Sequence, residues 1–164
     1  MIKEITAEQT TNLRQLTLRQ HQSGKDLIYP GDYDKDTVHF GIFVDSMLEG
    51  IASLYKEGMK ENLKPDSWRL RGMATSEKIR GKGYGSELMN QCIEHIKNQS
   101  GILLWCNARI TAERFYEKFG MKRIGEVFHP EDLGPHVVMW VGFSEHDFSR
   151  GGINRFNGLK KNLN

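Results

Sequence analysis

A glycine-rich segment between a predicted strand and a predicted helix is the strongest constraint on how this chain folds. It reads Arg80-Gly81-Lys82-Gly83-Tyr84-Gly85-Ser86. Glycine adopts backbone conformations closed to other residues and lets a ligand approach the main chain closely. The first amides of a helix lack intrahelical acceptors and carry the positive end of the helix dipole, and Arg80 and Lys82 add positive charge. The segment therefore predicts a loop that holds a pyrophosphate.

Two better-known phosphate-binding motifs do not match this spacing. A P-loop requires Ser or Thr directly after Gly-Lys, whereas Lys82 is followed by Gly83. A dinucleotide fingerprint requires a third glycine where Ser86 stands and an acidic residue about 20 positions further on, and the segment 102–107 contains none. A glycine-rich turn without a ligand is the other alternative. The pattern Arg80-x-x-Gly83-x-Gly85 therefore indicates a different kind of phosphate loop.

Length and composition indicate a single globular domain. The 164 residues are 38% hydrophobic and 27% charged, which is enough to bury one core. A net charge of +2 gives no reason to expect nucleic acid. The chain shows neither a signal-peptide pattern nor an apolar run of membrane-spanning length, so we expect a cytoplasmic protein without a membrane partner. The periodic pattern stops after residue 143, which predicts a domain over 1–143 and a polar, flexible tail over 144–164.

The cysteines and acidic residues give little support for a metal site. Cys92 and Cys106 each lie in an apolar pattern, so buried thiols are expected, with a disulfide as the alternative. The series Asp32-x-Asp34-x-Asp36 lacks the glycine and the last glutamate of an EF-hand loop, which favours solvated carboxylates. The histidines lack metal-ligand spacing with the cysteines. We therefore expect no metal.

Hydrophobic periodicity predicts a mixed α/β chain. A strand, the glycine loop, a helix and a strand follow one another, which implies a right-handed parallel crossover. The short turn Asp45-Ser46-Met47 predicts an antiparallel hairpin. The predicted strands are Ile2–Ile5, Val38–Val44, Leu48–Tyr55, Trp68–Thr75, Ile102–Cys106, Lys122–Phe128 and His136–Phe143.

Three segments have helical patterns. Thr6 and Gln9 predict a capping box before a helix whose apolar face includes Leu13 and Leu16. The helix after the glycine loop carries a stripe typical of core packing. Thr111 is predicted to cap a short third helix that ends at Gly120. The stripe of the second helix consists of Leu88, Met89, Cys92, Ile93 and Ile96.

This order of elements and several strings resemble the GNAT superfamily of acyltransferases over residues 1–143. The strings are Gly72-Met73-Ala74-Thr75, Arg80 to Gly85, and Ala112-x-x-Phe115-Tyr116-Glu117-Lys118-Phe119-Gly120. Cys106-Asn107-Ala108-Arg109 and Gly134-Pro135-His136-x-x-Met139 further resemble a small bacterial branch similar to ElaA and YjcF. The resemblance implies a mixed, mostly antiparallel sheet that splays between its fourth and fifth strands, with acetyl-coenzyme A in the gap.

The resemblance also implies which residues bind this co-substrate. The pantetheine would pair with the backbone of residues 73–75, and the pyrophosphate would meet the loop amides. Arg109 stands where many family members carry Asn, three positions before Ala112, and Asn107 is the nearest Asn. The implied cofactor-binding residues are Met73, Ala74, Thr75, Arg80, Gly81, Lys82, Gly83, Tyr84, Gly85, Ser86, Asn107 and Arg109.

The implied activity is direct transfer of an acetyl group from acetyl-coenzyme A to an amine of a small molecule or peptide. Tyr116 matches the family tyrosine that protonates the coenzyme A thiolate. Reference pKa values of about 10 for a phenol and about 8.5 for a thiol place this proton transfer close to balance. The structural alternative is a tyrosine that only packs beside Phe115.

The general base has weaker support in the sequence. The fourth predicted strand carries no glutamate, which is the common family solution. His136 is the first candidate because it begins a strand beside a Gly-Pro turn and histidine titrates near neutral pH. A hydrogen-bonded structural histidine is the alternative interpretation, and His39 and Glu126 are weaker candidates. A dry site that binds the free amine would need no base.

A non-catalytic acyl-coenzyme A sensor or interaction module is the competing function. The loop and Tyr116 favour the enzyme, whereas Arg109 and the missing strand glutamate favour the sensor. Asp32, Asp34 and Asp36 lie where the family places acceptor loops, which suggests a cationic amine. The resemblance further allows a homodimer.

Overall fold

The computed structural model describes residues 1–60, 63 and 65–143. The expected tail over 144–164 therefore lies outside the described residues. The described strands are β1 (Ile2–Ile5), β2 (Val38–Val44), β3 (Met47–Tyr55), β4 (Ser67–Thr75), β5 (Leu103–Arg109), β6 (Lys122–Phe128) and β7 (His136–Gly142). The described helices are α1 (Ala7–Thr17), α2 (Tyr84–Asn98) and α3 (Glu113–Glu117), with 3-10 helices at Gly24–Leu27 and Ile110–Ala112.

The strands form a mixed sheet in the order β1-β2-β3-β4-β5-β7-β6. The ladders β1–β2, β2–β3, β5–β7 and β6–β7 are antiparallel. The ladder between β4 and β5 is parallel and runs from Ser67 opposite Leu103 to Arg69 opposite Trp105. The mixed, mostly antiparallel sheet predicted from the sequence is confirmed.

The chain divides into two compact units. Unit 1 contains Met1–Tyr55 and Leu70–Glu94, so it holds the first three strands, the second half of β4 and most of α2. Among the described residues, unit 2 contains 56–60, 63, 65–69 and 95–143. Each unit has its own apolar cluster, and each contributes its own candidate functional residues.

Helix α1 packs on the sheet of unit 1. Its capping box is confirmed, because the Thr6 hydroxyl accepts from the Gln9 amide at 3.3 Å and the Gln9 side chain accepts from the Thr6 amide at 2.8 Å. Leu13 packs in a buried cluster with Ile51 and Ala74. The prediction for Leu16 was wrong, since it is 57% exposed. The buried face instead continues through Ala7, Thr10 and Arg14. A charged residue, and not Leu16, therefore completes the face that packs on the sheet.

The β2–β3 hairpin has a tighter turn than predicted. Its turn is Asp45-Ser46, with φ of 50° and 65°, and β3 already begins at Met47. Two successive residues with positive φ are typical of type I′ turns, whose twist matches that of paired strands. The two-residue turn therefore explains why Met47 joins the ladder opposite Val44.

The core of unit 2 is built on β5. Leu103 and Trp105 pack with Met59 and Ile102, and Val138 and Trp140 lie against this cluster. The strand extends beyond its predicted end at Cys106, because its ladder with β7 continues to Arg109. Hydrogen bonding across the ladder thus extends β5 past the apolar run that predicted it.

The two cysteines are buried free thiols, as predicted. Burial raises the pKa of the Cys92 thiol to about 12, and burial likewise raises the pKa of the Cys106 thiol to about 12. Both side chains therefore stay protonated and act as small apolar core residues.

The start of the third helix differs from the prediction. Thr111 lies inside the 3-10 helix Ile110–Ala112, and no side chain caps α3, which begins at Glu113. The 3-10 turn places Thr111 within helical backbone, so its hydroxyl is not at an N-cap position. Gly120 follows the helix with φ of 80°, as predicted for its C-terminal end.

The described residues bear on the predictions made for membranes and metals. None of the helices is both long and apolar enough to cross a membrane. No cluster of three or more His, Cys, Asp or Glu side chains is arranged to hold a metal ion within the part of the chain that the structure describes. The expectation that the protein uses no metal stays a prediction.

Candidate functional site

The glycine loop of unit 1 has the backbone geometry predicted for a phosphate loop. Gly81 and Gly83 have φ of 75° and 88°, a region that other residues enter only with strain. A Cβ added to either glycine would meet nothing within 4 Å, so the conformation, rather than crowding, requires glycine there. Helix α2 begins at Tyr84, directly after these turns.

The loop also contains backbone amides that have no backbone acceptor. The Lys82 amide donates to Ile79 at 3.3 Å and the Glu87 amide to Gly83 at 3.2 Å. Within residues 65–143, the amides of Gly83, Gly85 and Ser86 have no backbone acceptor. These are the donors at the positive end of a 15-residue helix. An anion placed there would accept hydrogen bonds and offset the helix dipole.

Both predicted cationic side chains flank this loop. Arg80 and Lys82 are exposed. The Arg80 Nη2 atom lies 3.4 Å from the carbonyl oxygen of Thr75, at the end of β4. Both cations are therefore close in sequence to the amides that lack a backbone acceptor. Both remain exposed, as expected of side chains that contact a soluble ligand.

Strand β4 contains an irregularity directly before the residues assigned to the pantetheine. Gly72 has φ of 64°, which interrupts the regular alternation predicted for this strand. A Cβ at Gly72 would also lie 3.3 Å from Nε of Arg14 and 3.4 Å from the Tyr29 ring. The following Ala74 is buried, while Met73 and Thr75 are partly exposed. Gly72 therefore reorients the backbone at the point where Met73–Thr75 begins.

A buried polar network lies behind Gly72 and corrects the interpretation of the acidic loop. Asp32 is 4% exposed, not solvated, and its carboxylate accepts from Arg14 at 2.6 and 3.1 Å. It also accepts from the Tyr55 hydroxyl at 2.5 Å and from the Tyr29 amide at 2.7 Å. Four donated hydrogen bonds compensate its burial. Asp34 and Asp36 are exposed, as predicted.

The network fixes the charge states of its members. Burial would raise the pKa of Asp32, but hydrogen bonds from Arg14 and Tyr55 outweigh burial and hold the pKa below its usual range. Burial would lower the pKa of Arg14, but its hydrogen bond to Asp32 raises it. Burial and the Asp32 carboxylate together raise the pKa of Tyr55. The pair Arg14–Asp32 is therefore a charged ion pair near neutral pH.

His39 belongs to the same network. Its Nδ1 lies 2.6 Å from the Ser53 hydroxyl and its Nε2 lies 3.1 Å from the Asp32 carbonyl. Both ring nitrogens are thus engaged by protein groups, which fits a structural histidine better than the catalytic base considered from the sequence. Sequence reasoning missed this network, although a cation at Arg14 on the apolar face of α1 was a signal that a buried partner exists.

Tyr116 is held in α3 of unit 2. It is partly exposed, and its ring meets that of Phe115 edge to face at a centroid distance of 5.2 Å. The same helix is tied to β6 by Glu113, whose carboxylate accepts from Arg123 at 2.7 and 2.9 Å. The helix that carries Tyr116 is thus anchored by a paired arginine. The contact with Phe115 is compatible with both roles considered for Tyr116, so its catalytic role stays a prediction.

His136 lies at the start of β7 and is 7% exposed. Its Nδ1 lies 2.9 Å from the Gly134 carbonyl oxygen. A carbonyl only accepts, so Nδ1 carries the proton and Nε2 is the atom able to take one in the neutral ring. Glu126, the weaker candidate, is exposed on β6.

The structure brings some of the unit 2 candidates together. Arg109 lies directly opposite His136 in the β5–β7 ladder. Asn107 is two residues earlier on β5, so its side chain projects from the same face as that of Arg109. Asn107 is exposed and Arg109 partly exposed. Arg109 and His136 thus lie where β5 ends and β7 begins, beside the Gly-Pro turn that precedes His136.

Comparison with known proteins decides the family. The model of the acetyltransferase (GNAT) family matches residues 5–121. This chain belongs to the GNAT acetyltransferase family. The acetyltransferase is 37% identical over 140 residues to the uncharacterised N-acetyltransferase YitI of Bacillus subtilis, a match that covers 85% of this chain and 93% of YitI. The family resemblance seen in the sequence is confirmed, and the chain is an N-acetyltransferase by descent.

Solved structures agree with the fold of this acetyltransferase. Escherichia coli ElaA matches with a TM-score of 0.69 and 21% identity, over 85% of this chain and 97% of ElaA. An aminoglycoside 6'-N-acetyltransferase complexed with coenzyme A matches with a TM-score of 0.68 and 15% identity, over 87% of this chain and 96% of that one. At these identities the likeness establishes the GNAT fold.

Proposed function

We propose that this N-acetyltransferase uses acetyl-coenzyme A as its donor and holds the donor's pyrophosphate on the loop Arg80–Ser86. The observation that carries the proposal is that the amides of Gly83, Gly85 and Ser86, at the start of α2, have no backbone acceptor within residues 65–143. Arg80 and Lys82 add charge-assisted contacts to phosphate oxygens. The residues present therefore fit a diphosphate.

The acyl end of the donor lies along the second half of β4 in this proposal. The backbone of Met73, Ala74 and Thr75 follows the turn at Gly72 and leads to the loop, in the order that a pantetheine arm requires. Main-chain amides in this segment are suited to stabilise the oxyanion of the tetrahedral intermediate, because they are fixed before the reaction begins. Asn107 and Arg109 are proposed as further contacts of the same donor.

Two side chains of unit 2 are proposed to move protons. Tyr116 donates the proton that the departing thiolate needs. His136 accepts the proton of the attacking amine at Nε2, since Nδ1 is occupied by Gly134. An alkylamine has a pKa of about 10.4 in water, so its proton must be removed before it can attack the thioester. The acceptor is an amine of a small molecule or peptide. A cytoplasmic location and a homodimer stay predictions from the sequence.

The proposal is tested by titration calorimetry with acetyl-coenzyme A, in the intact protein and in two glycine variants. We expect 1:1 binding in the micromolar range, on the order of −8 kcal/mol. Gly83→Ala places a Cβ on a backbone with φ of 88° and should distort the cradle. We expect its affinity to fall at least about tenfold, equivalent to ~1.4 kcal/mol.

Gly24→Ala is the matched control. Gly24 also has positive φ, at 57°, and open space around it, but it lies outside the loop. It should bear similar backbone strain and keep the parent affinity. Absence of binding to the folded parent protein, or equal loss in both variants, would show that the loop is an ordinary turn.

A further inference from the structure

The ladder between β6 and β7 changes its register directly before the proposed base, His136. The last regular pair is Ile124 opposite Val138. The next pair is Phe128 opposite His136, so β6 carries two residues more over this stretch than β7 does. Gly125 lies in the extra segment and has φ of 76°, as is typical of a β-bulge. Strand β6, at the edge of the sheet, is therefore bulged beside the candidate base.

The bulge decides which side chain of β6 meets His136. In a regular antiparallel ladder, the residue two positions after Ile124 would stand opposite His136, and that residue is Glu126. Residues that stand opposite each other lie on one face of the sheet, with Cβ atoms about 5 Å apart. The bulge leaves Glu126 exposed and brings Phe128 opposite His136 instead. An aromatic ring thus takes the place of a carboxylate beside the imidazole.

Two contacts restrain the ring of His136. Its Nδ1 lies 2.9 Å from the carbonyl oxygen of Gly134. The ring centroid of Phe128 lies 5.9 Å from that of the imidazole, and the two planes meet at 40°. The turn that supplies the Gly134 carbonyl is itself held, since the Ile110 amide donates to the Pro135 carbonyl at 3.1 Å. The first contact determines which nitrogen carries the proton, and the second limits rotation of the ring.

The other nitrogen of His136, Nε2, is open. Within residues 1–60, 63 and 65–143, no group forms a hydrogen bond with Nε2, and it is not one of the fully buried polar atoms that lack a partner. A general base needs such an unoccupied nitrogen in a fixed position, because misplacement by about 1 Å can cost ~10²-fold in rate. A side chain that restrains the ring therefore affects proton transfer without touching the substrate.

We propose that Phe128 is a positioning residue for His136 and that the β6 bulge is the element that places it there. This inference rests on the proposed function, in which His136 is the base. Phe128 neither donates nor accepts a proton. Its ring keeps the imidazole in the orientation in which Nδ1–H meets the Gly134 carbonyl, so Nε2 keeps its lone pair for the amine. Without the Phe128 ring, the imidazole rotates and exchanges between its two tautomers.

The first test records the ring ¹⁵N signals of His136 by NMR, without donor or acceptor and at a pH where the ring is neutral. We expect the parent protein to show the Nδ1–H tautomer alone. Phe128→Leu should show both tautomers, because an unrestrained neutral ring populates both. Phe128→Tyr restores an aromatic ring and should keep the parent signals. Phe43→Leu is the matched control, since Phe43 is also a partly exposed phenylalanine at a register shift, in β2 of unit 1.

The second test is a double-variant cycle on kcat. Phe128→Leu should lower kcat at least about fivefold, because the base is less often in position, and should keep the affinity for acetyl-coenzyme A. The same substitution in a His136→Ala background should have no further effect, because the ring that Phe128 positions is missing. Phe43→Leu should keep the parent kcat.

The outcomes separate the positioning role from the proposed function. An Nδ1–H signal that stays unchanged in Phe128→Leu, or an Nε2–H signal in the parent, would overturn the positioning role. A fall in kcat that persists in the His136→Ala background would overturn it as well. Parent kcat in His136→Ala alone would remove His136 as the base, while the NMR signals still decide whether Phe128 holds its ring. Phe128→Met is the second variant for the same readouts should Phe128→Leu fail to fold.

Discussion

At the scale of single residues, the pair Arg14–Asp32 should make the stability of unit 1 sensitive to substitution, because each buried charge depends on its partner. A buried charge that loses its partner typically costs ~3–5 kcal/mol of stability. We expect Asp32→Asn to lower the free energy of unfolding by this amount, because the Arg14 guanidinium would stay buried without a countercharge. Urea unfolding measures the effect. Asp34→Asn, at an exposed carboxylate, should stay within about 0.5 kcal/mol of the parent.

The same pair gives the unfolding free energy a definite dependence on pH. The pKa of Asp32 is depressed in the folded protein, so its stabilisation is present above the unfolded pKa of about 3.9 and is lost as the pH falls through the folded value. Acidification below about pH 4 should therefore destabilise the parent more steeply than Asp32→Asn. Identical acid profiles for the two proteins would rule out the ion pair described for Asp32.

Tyr116 provides the residue-scale test of the chemistry. Tyr116→Phe removes the proposed acid but keeps the ring that meets Phe115. Loss of general acid catalysis typically costs ~10²–10⁴ in rate, so we expect kcat to fall in this range while acetyl-coenzyme A affinity is kept. Steady-state kinetics and calorimetry on one preparation measure both. Tyr33→Phe, at an exposed tyrosine, is the control, and parallel loss of kcat and donor affinity in Tyr116→Phe would assign Tyr116 a structural role.

Some of these residues could be recognised from the sequence and others could not. Gly81 and Gly83 were predictable because local spacing alone indicates a turn before a helix. The burial of Asp32 was not predictable, because it depends on Arg14, 18 positions earlier, and on Tyr55 at the end of β3. The charge balance of a buried site is a property of tertiary contacts, so the sequence predicted the turns of the glycine loop but not the buried network around Asp32.

At the scale of elements, the β2–β3 turn offers room for stabilisation. Asp45 and Ser46 both have positive φ, which costs a residue other than glycine roughly 1–2 kcal/mol. Replacing them with Asn-Gly, the preferred type I′ pair, should raise the free energy of unfolding by about 1 kcal/mol. Thermal unfolding monitors the change. Ala-Ala at the same positions should destabilise the protein, and stabilisation by Ala-Ala would contradict the turn type.

Element boundaries show where sequence periodicity reaches its limit. The apolar run predicted the start of β5 but not its end, because pairing with β7 carries polar Asn107 and Arg109 into the strand. Alternation predicted β4 but not the positive φ of Gly72, where an added Cβ would meet Arg14 and Tyr29, two residues distant in sequence. The order and type of all seven described strands were nevertheless predicted.

At the scale of the whole molecule, each unit carries its own proposed functional residues. Unit 1 contains the phosphate loop and the β4 backbone, which are proposed to bind the donor. Unit 2 supplies Tyr116 and His136, which are proposed to transfer protons. Substitutions in unit 1 should therefore act mainly on affinity, and substitutions of these two side chains on turnover.

The buried thiols bear on the kinetic order of the reaction. A cysteine attacks a thioester readily only as its thiolate. Neither Cys92 nor Cys106 forms a thiolate near neutral pH, because burial raises both pKa values to about 12. Neither cysteine can then form a covalent acetyl-enzyme intermediate between donor and acceptor. We therefore expect donor and amine to occupy the enzyme at the same time, in which case double-reciprocal plots against the two substrates intersect, whereas parallel plots would indicate an acetylated enzyme.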